Sequence, residues 1–198
     1  MTSVLFVRHV EHVLQHEQLL GRTHDAPFTD SAYWQLTRLT RSLRHEAVAA
    51  VHSSPRRRAW ETAEDIAGPH HIAVELRSEL DELDFGDWSG RCFGELADDP
   101  QWQSWNAKRG ESCPPHGESM RALQDRMLVY IAELAETYPR QTLICVTHAE
   151  PIRVLILHAC GMELDEFARI EISPGSITRM KLLSGAGRPR FQLEARPA

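Results

Sequence analysis

Long apolar runs are missing from this chain. The first, Val4-Leu5-Phe6-Val7, is cut short by Arg8, and none approaches the length of a membrane span. Met1-Thr2-Ser3 has no basic region leading into a long apolar stretch, so no secretory signal is expected. Cysteine is sparse. Cys92, Cys113, Cys145 and Cys160 form no C-x-x-C pair, which argues against a disulfide framework or a zinc site and predicts buried free thiols. An excess of basic residues is also missing: 22 Lys and Arg face 28 Asp and Glu, a net charge of −6. That balance argues against a general nucleic-acid or anionic-membrane binder, although local arginines can still hold a small phosphate. There is no internal repeat. A cytoplasmic protein without nucleic-acid or membrane partners is expected.

The 198 residues, 42% hydrophobic and 25% charged, fit one globular domain with an insertion. Residues 3–8 read as a buried strand too short for an amphipathic helix. A polar loop follows from His12 to Phe28. Thr29 or Asp30 can cap a helix with Tyr33, Leu36, Leu39 and Leu43 at helical spacing. Residues 47–51 predict a second strand. Ser54 suits the N-cap and Pro55 the first position of the next helix, which Gly68-Pro69 ends. Residues 72–76 predict an edge strand.

Residues 80–116 differ in texture, with Gly86, Gly90, Gly94, Pro100, Pro114 and Pro115 among Trp88, Trp102 and Trp105. An insertion at about 88–116, lying over the site like a lid, is expected. Its tryptophans fit either a substrate wall or a small core. Residues 117–138 carry the clearest helical stripe, Met120, Leu123, Met127, Ile131, Leu134 and Tyr138. Residues 142–146 predict a central strand, Pro151 to Cys160 a helix, and Gly161 its cap. A short helix at 163–168, strands near 169–172 and 176–182, and a frayed tail from 185 to 198 complete the expectation. Strands alternating with helices predict an α/β fold: a three-layer α/β/α sandwich over residues 1–184 with a largely parallel sheet.

Four segments then carry chemistry. Arg8-His9 ends the first strand, Arg58 lies on the first turns of the helix after Ser54-Pro55, Glu82 follows the third strand, and His148 ends the central strand. Parallel strand ends converge on one edge of an open α/β sheet, where such folds build their sites. Histidine can attack phosphorus, and a guanidinium grips two phosphoryl oxygens at once.

In these residues the chain resembles the histidine phosphatase superfamily, the phosphoglycerate mutase-like fold, over roughly residues 4–182. Arg8-His9 followed by Glu11 resembles the family's R-H-G-E. Ser53 to Ala63 resembles S-S-x-x-x-R-A-x-x-T-A, and Leu80 to Gly90 resembles L-x-E-x-x-F-G-x-W-x-G. Gly117-Glu118-Ser119 matches a G-E-S helix start, and Thr147-His148-Ala149 matches T-H-G or T-H-A. Gly21-Arg22 resembles the G-R that precedes a P-L-T segment, here Pro27-Phe28-Thr29. The resemblance implies a phosphatase that acts on a small phosphorylated substrate without metal or cofactor. It implies His9 as nucleophile and Glu82 as general acid. It further implies that Arg8, Arg58 and His148 hold the phosphoryl oxygens and that Gln15 stands where the family often has a phosphate-binding asparagine.

The chain departs from the family at Val10, where glycine is usual, and at His12, where Thr or Ser is usual. The segment His148-Ala149-Glu150-Pro151 lacks the H-G-N-S common in mutases, which favours phosphatase over phosphomutase. A non-catalytic phosphate binder is the other alternative. His9, His12 and His16, and the adjacent His70-His71, raise a metal reading, but no Cys or carboxylate pattern completes a ligand set. Arg56 and Arg57 are expected on the surface.

Overall fold

The opening apolar run becomes β1, Thr2–Arg8, and its side chains alternate between two separate cores. Val4 and Phe6 enter one, and Leu5 and Val7 the other, as the two-residue period of a strand requires. A computed structural model describes residues 1–183 and 190–195 of the chain. Within it β2 is Val48–Ser53, β3 Val74–Leu76, β4 Thr142–Thr147, β5 Ile177–Leu183 and β6 Arg190–Ala195. β4 repeats the alternation of β1, with Leu143 and Cys145 opposed to Ile144 and Val146. Both faces of the central strands are covered, so they read as continuous apolar runs rather than as alternating ones.

The strands form one sheet in the order β3-β2-β4-β1-β5-β6. The β1–β4, β4–β2 and β2–β3 pairings are parallel, while β5 and β6 add antiparallel pairings at one side. The sheet is mixed and mostly parallel.

The helices are α1, Asp30–Leu43; α2, Arg57–Ala67; α3, Phe93–Ala97; α4, Pro100–Ala107; α5, Met120–Thr137; and α6, Ala149–Ala159. Thr29 caps α1 and Ser119 caps α5, each accepting from a backbone N–H three residues on. α1 and α2 bury Leu36, Leu39, Ala63 and Ile66 against the Leu5–Val7 face. α5 and α6 bury Leu123, Met127, Ile152 and Leu155 against the Val4–Phe6 face. The helix that follows β1 therefore lies on one face and the helix that follows β4 on the other. Adjacent strands whose connections leave in opposite directions open a crevice at their carboxyl ends, here between β1 and β4. Arg8 pairs in register with Thr147, so His9 and His148 emerge side by side at that crevice.

Several expectations differ from the structure. No strand forms at 169–172. A 3-10 helix spans Leu164–Arg169, and the carbonyls of Ile170 and Ile172 accept from Arg153 and Arg8. Guanidinium groups thus occupy positions that a strand ladder would need. Ser54 does not cap α2, which starts at Arg57 behind Arg56, because the Ser54 hydroxyl is committed to the site. α6 starts at Ala149, two residues before Pro151. Of the expected frayed tail, Arg190–Ala195 instead pair with β5 as β6; residues 184–189 and 196–198 lie outside the described residues. All four cysteines are free, but only Cys145 is buried. Among the described residues no helix is long and apolar enough to cross a membrane.

Gly86, in the Leu80–Gly90 segment, has φ +51, and a Cβ built there would lie 1.9 Å from the Pro115 carbonyl oxygen. Gly86→Ala is expected to cost about 2–4 kcal/mol, because both the left-handed backbone and the close carbonyl oppose it. Thermal denaturation reads this as a lowered Tm.

Candidate active site

β1 ends by delivering Arg8 and His9 to the crevice, with the His9 amide donating to the Thr147 carbonyl at 3.0 Å. The ring of His9 is fixed at both nitrogens. Nδ1 lies 2.8 Å from the Val10 carbonyl oxygen, which can only accept, so Nδ1 carries the proton. Arg58 donates its Nε–H to His9 Nε2 at 3.3 Å, so Nε2 presents a lone pair. Burial, then the charges of Arg58 and Arg8, hold the His9 pKa well below its ordinary value and keep the ring neutral.

Val10 does not crowd this ring. Its side chain is buried in the α1–α2 core, and its N–H donates to Thr62 Oγ1 at 3.3 Å.

Arg58, on the first turn of α2, is itself buried. Its Nη1 donates to the His24 carbonyl at 3.1 Å and to Asp25 Oδ1 at 2.9 Å, and its Nη2 donates to the Gly21 carbonyl at 2.7 Å. The loop before α1 is thereby clasped to the site.

His148 follows β4, caps the start of α6 from its backbone and is fully buried. Its ring lies 5.1 Å from that of His9. Nε2 is 2.8 Å from Ser54 Oγ, and Ser54 donates to Asp81 Oδ1 at 3.2 Å. Nδ1 of His148 has no partner among the described residues. Burial, then Arg58 and His9, depress its pKa strongly.

Glu82 lines the same cavity. The Leu83 N–H donates to Glu82 Oε1 at 2.8 Å, which leaves Oε2 to carry a proton. Burial, then the nearby Glu150 carboxylate, push its pKa up to about 7. Of the two neighbouring carboxylates, Asp81 is turned to Ser54 and Arg56, and Asp84 accepts from the Gly86 amide. The Glu82 loop is braced from outside. Arg22 Nε donates to the Glu82 carbonyl at 2.6 Å, and Arg22 also pairs with Glu118, which pairs with Arg126. The Gly21-Arg22 and Gly117-Glu118-Ser119 motifs meet in this brace.

The cavity enclosed by these groups is about 210 Å³. Arg8, His9, Arg58 and Glu82 line it, and so does Gln15, whose Oε1 has no partner among the described residues. The His148 ring meets that of His9 edge-on. The insertion supplies Phe93 and Trp102 to the far wall, while Trp88 and Trp105 are buried beneath it, so the tryptophans divide between wall and core. Among the described residues, no cluster of three or more His, Cys, Asp or Glu could hold a metal ion.

Sequence reasoning missed the parts played by six residues. Ser54 and Asp81 back His148. Arg56, expected on the surface, turns inward to pair with Asp81 at 3.0 Å, whereas Arg57 is exposed as expected. Arg109 and Glu150 form a buried pair on the cavity wall. His12 also lines the cavity, with burial and then Arg58 lowering its pKa to about 4. The combination T-H-A-E, with an acid where mutases carry asparagine, was the one available signal for Glu150.

A neutral imidazole beside two guanidinium groups, at the carboxyl edge of a mostly parallel sheet, marks an α/β protein that handles a phosphoryl-sized anion. Comparison with known proteins narrows that class. Residues 4–192 match the histidine phosphatase superfamily (branch 1), and the chain belongs to that family of enzymes. It is 25% identical over 173 residues to phosphoserine phosphatase 1 of Hydrogenobacter thermophilus, covering 84% of this chain and 80% of that protein. It is 26% identical over 171 residues to the adenosylcobalamin/alpha-ribazole phosphatase of Escherichia coli, covering 85% and 84%. The solved structure of Bacillus stearothermophilus YhfR superposes with a TM-score of 0.86 at 25% identity, covering 99% of this chain and 98% of that one.

Proposed function

We propose that the chain is a phosphomonoesterase that hydrolyses a small phosphorylated metabolite through a phosphohistidine on His9, with Glu82 as general acid. The observation that carries this reading is the state of His9. Its proton is held on Nδ1 by Val10, its unprotonated Nε2 accepts from Arg58, and it lines the cavity together with Arg8 and Arg58.

The steps balance with side chains alone. The Nε2 lone pair attacks phosphorus, the ester P–O bond breaks, and the leaving oxygen takes its electron pair and the proton of Glu82. A water then attacks the phosphohistidine, Glu82 accepts the water's proton, and the P–N bond breaks to restore the Nε2 lone pair. Arg8 and Arg58 oppose the charge on the equatorial oxygens, with Gln15 as a further amide donor. The N–H groups of Ala149 and Glu150 at the start of α6 add to that field.

His148 completes the set that holds the phosphoryl oxygens. Its ring is fixed by Nε2–H donating to Ser54 while Ser54 donates to Asp81. Residues 88–116 serve as a lid-like wall over the leaving group. The relatives that act on phosphoserine and on alpha-ribazole phosphate support a small metabolite as substrate. Free thiols fit a reducing, cytoplasmic setting.

The test is chemical trapping. Acid-free quenching during turnover, followed by mass spectrometry, is expected to find one phosphoryl group on His9. Steady turnover with no such adduct, and no exchange of the group to added alcohols, would overturn the reading.

The raised pKa of Glu82 also sets a pH limb. A carboxyl lifted to about 7 is protonated below that pH and loses its proton above it. Its acid role is therefore present at lower pH and fades as pH rises through 7. The kcat/KM for alkyl phosphates is expected to fall on that limb. The kcat/KM for para-nitrophenyl phosphate, whose phenolate departs unaided, is expected to stay level there. Parallel profiles would count against the assignment.

A further inference from the structure

Glu150 is a buried carboxylate with one oxygen too few partners. Its Oε1 accepts from Arg109 Nη1 at 3.1 Å and from Arg153 Nη1. Its Oε2 is buried and has no partner among the described residues, and the side chain lines the cavity that holds His9 and Glu82. Burial works to raise its pKa, but Arg153 and Arg109 overcome that and hold it at about 2, so it is ionised in any ordinary buffer. An ionised oxygen left unsatisfied in a buried wall is costly unless a donor arrives with the substrate.

The surroundings of Glu150 are rigid. The Arg109 guanidinium lies between the Trp105 and Phe167 rings, 3.9 and 3.5 Å from their centroids, and donates to Asn106 Oδ1 at 2.7 Å. Arg153 Nε donates to the Ile170 carbonyl at 3.0 Å. Arg109 Nε is likewise without a partner among the described residues, and both arginines reach Glu150 through Oε1 alone.

Resting on the phosphatase reading above, we infer that Glu150 Oε2 is a substrate-recognition acceptor, and that it takes a hydroxyl group on the leaving-group side of the phosphoester. The favoured class is a small phosphorylated polyol or sugar. Charge decides for a hydroxyl over an ammonium. One carboxylate stands between two guanidinium groups, a local surplus of one positive charge, and Arg8 lies nearby. A neutral donor satisfies Oε2 without adding to that surplus, whereas an ammonium increases it. The cavity volume, about 210 Å³, suits a leaving group of a few carbons.

The experiment compares three substrates of similar size on the acid side of the Glu82 limb: glycerol 3-phosphate, phosphoethanolamine and propyl phosphate. They carry a hydroxyl donor, an ammonium donor and no donor. Wild-type kcat/KM is expected to favour glycerol 3-phosphate over propyl phosphate by about 10- to 100-fold, the size of a hydrogen bond to a charged group. In Glu150→Gln the amide carbonyl keeps the arginines, so an NH2 stands where Oε2 was. That preference is then expected to collapse to near unity. Equal wild-type rates on the first and third substrates, a preference for phosphoethanolamine, or a preference that survives Glu150→Gln would each overturn the inference. The wild-type comparison can overturn the inference even if the variant does not fold. Absence of turnover with para-nitrophenyl phosphate would instead defeat the phosphatase reading beneath it.

Discussion

His9→Ala is expected to lower kcat on para-nitrophenyl phosphate by roughly 10⁴-fold or more, because it deletes the proposed nucleophilic nitrogen beside the Arg8 and Arg58 guanidinium groups. The fold has little stake in this ring. It packs on His12 and His148 at the crevice rather than in either apolar core. Denaturation midpoints of variant and wild type are therefore expected to agree closely, and inorganic phosphate is expected still to bind through Arg8 and Arg58. Turnover within tenfold of wild type would remove His9 from the chemistry. Loss of phosphate binding together with turnover would make its role structural.

The second large effect concerns Glu82. Glu82→Gln keeps the shape and the acceptor for the Leu83 N–H but has no acidic proton to give. The loss on an alkyl phosphate is expected to be about 10²- to 10⁴-fold, the usual range for a general acid. The loss on para-nitrophenyl phosphate is expected to be several-fold only. The ratio of the two losses is the informative quantity, since a merely structural disturbance would lower both alike. Equal losses would return the assignment to the neighbouring carboxylates, although Asp81 and Asp84 are already engaged by Ser54, Arg56 and Gly86.

Where local sequence carried the physics, it was enough. Four consecutive apolar residues ending in Arg8-His9 specify a doubly covered strand, and such a strand delivers whatever follows it to the carboxyl edge. The stripe from Met120 to Leu134 and the caps Thr29 and Ser119 were legible for the same reason: the interactions span three or four residues. What escaped was decided across long separations. Ser54 has the chemistry of a cap, yet a histidine 94 residues away takes its hydroxyl. Alternating side chains at 169–172 look like a strand until Arg8 and Arg153 claim the carbonyls. Arg109 sits in a segment without periodicity, and its aromatic neighbours and carboxylate partner come from three separate parts of the chain. The tail from Gly185 is rich in Gly, Pro and Arg, yet β5 offered an open edge that Arg190–Ala195 fill.

Arg58 has one guanidinium and two employers. The same planar group that faces the His9 lone pair also fastens Gly21, His24 and Asp25. A change in the segment preceding α1 is therefore expected to reach the guanidinium beside His9 directly. Evolution can adjust grip on the common phosphoryl moiety by editing a surface turn, leaving every reactive atom untouched. Divergent specificity and tuned affinity would then arise from one and the same stretch of polypeptide.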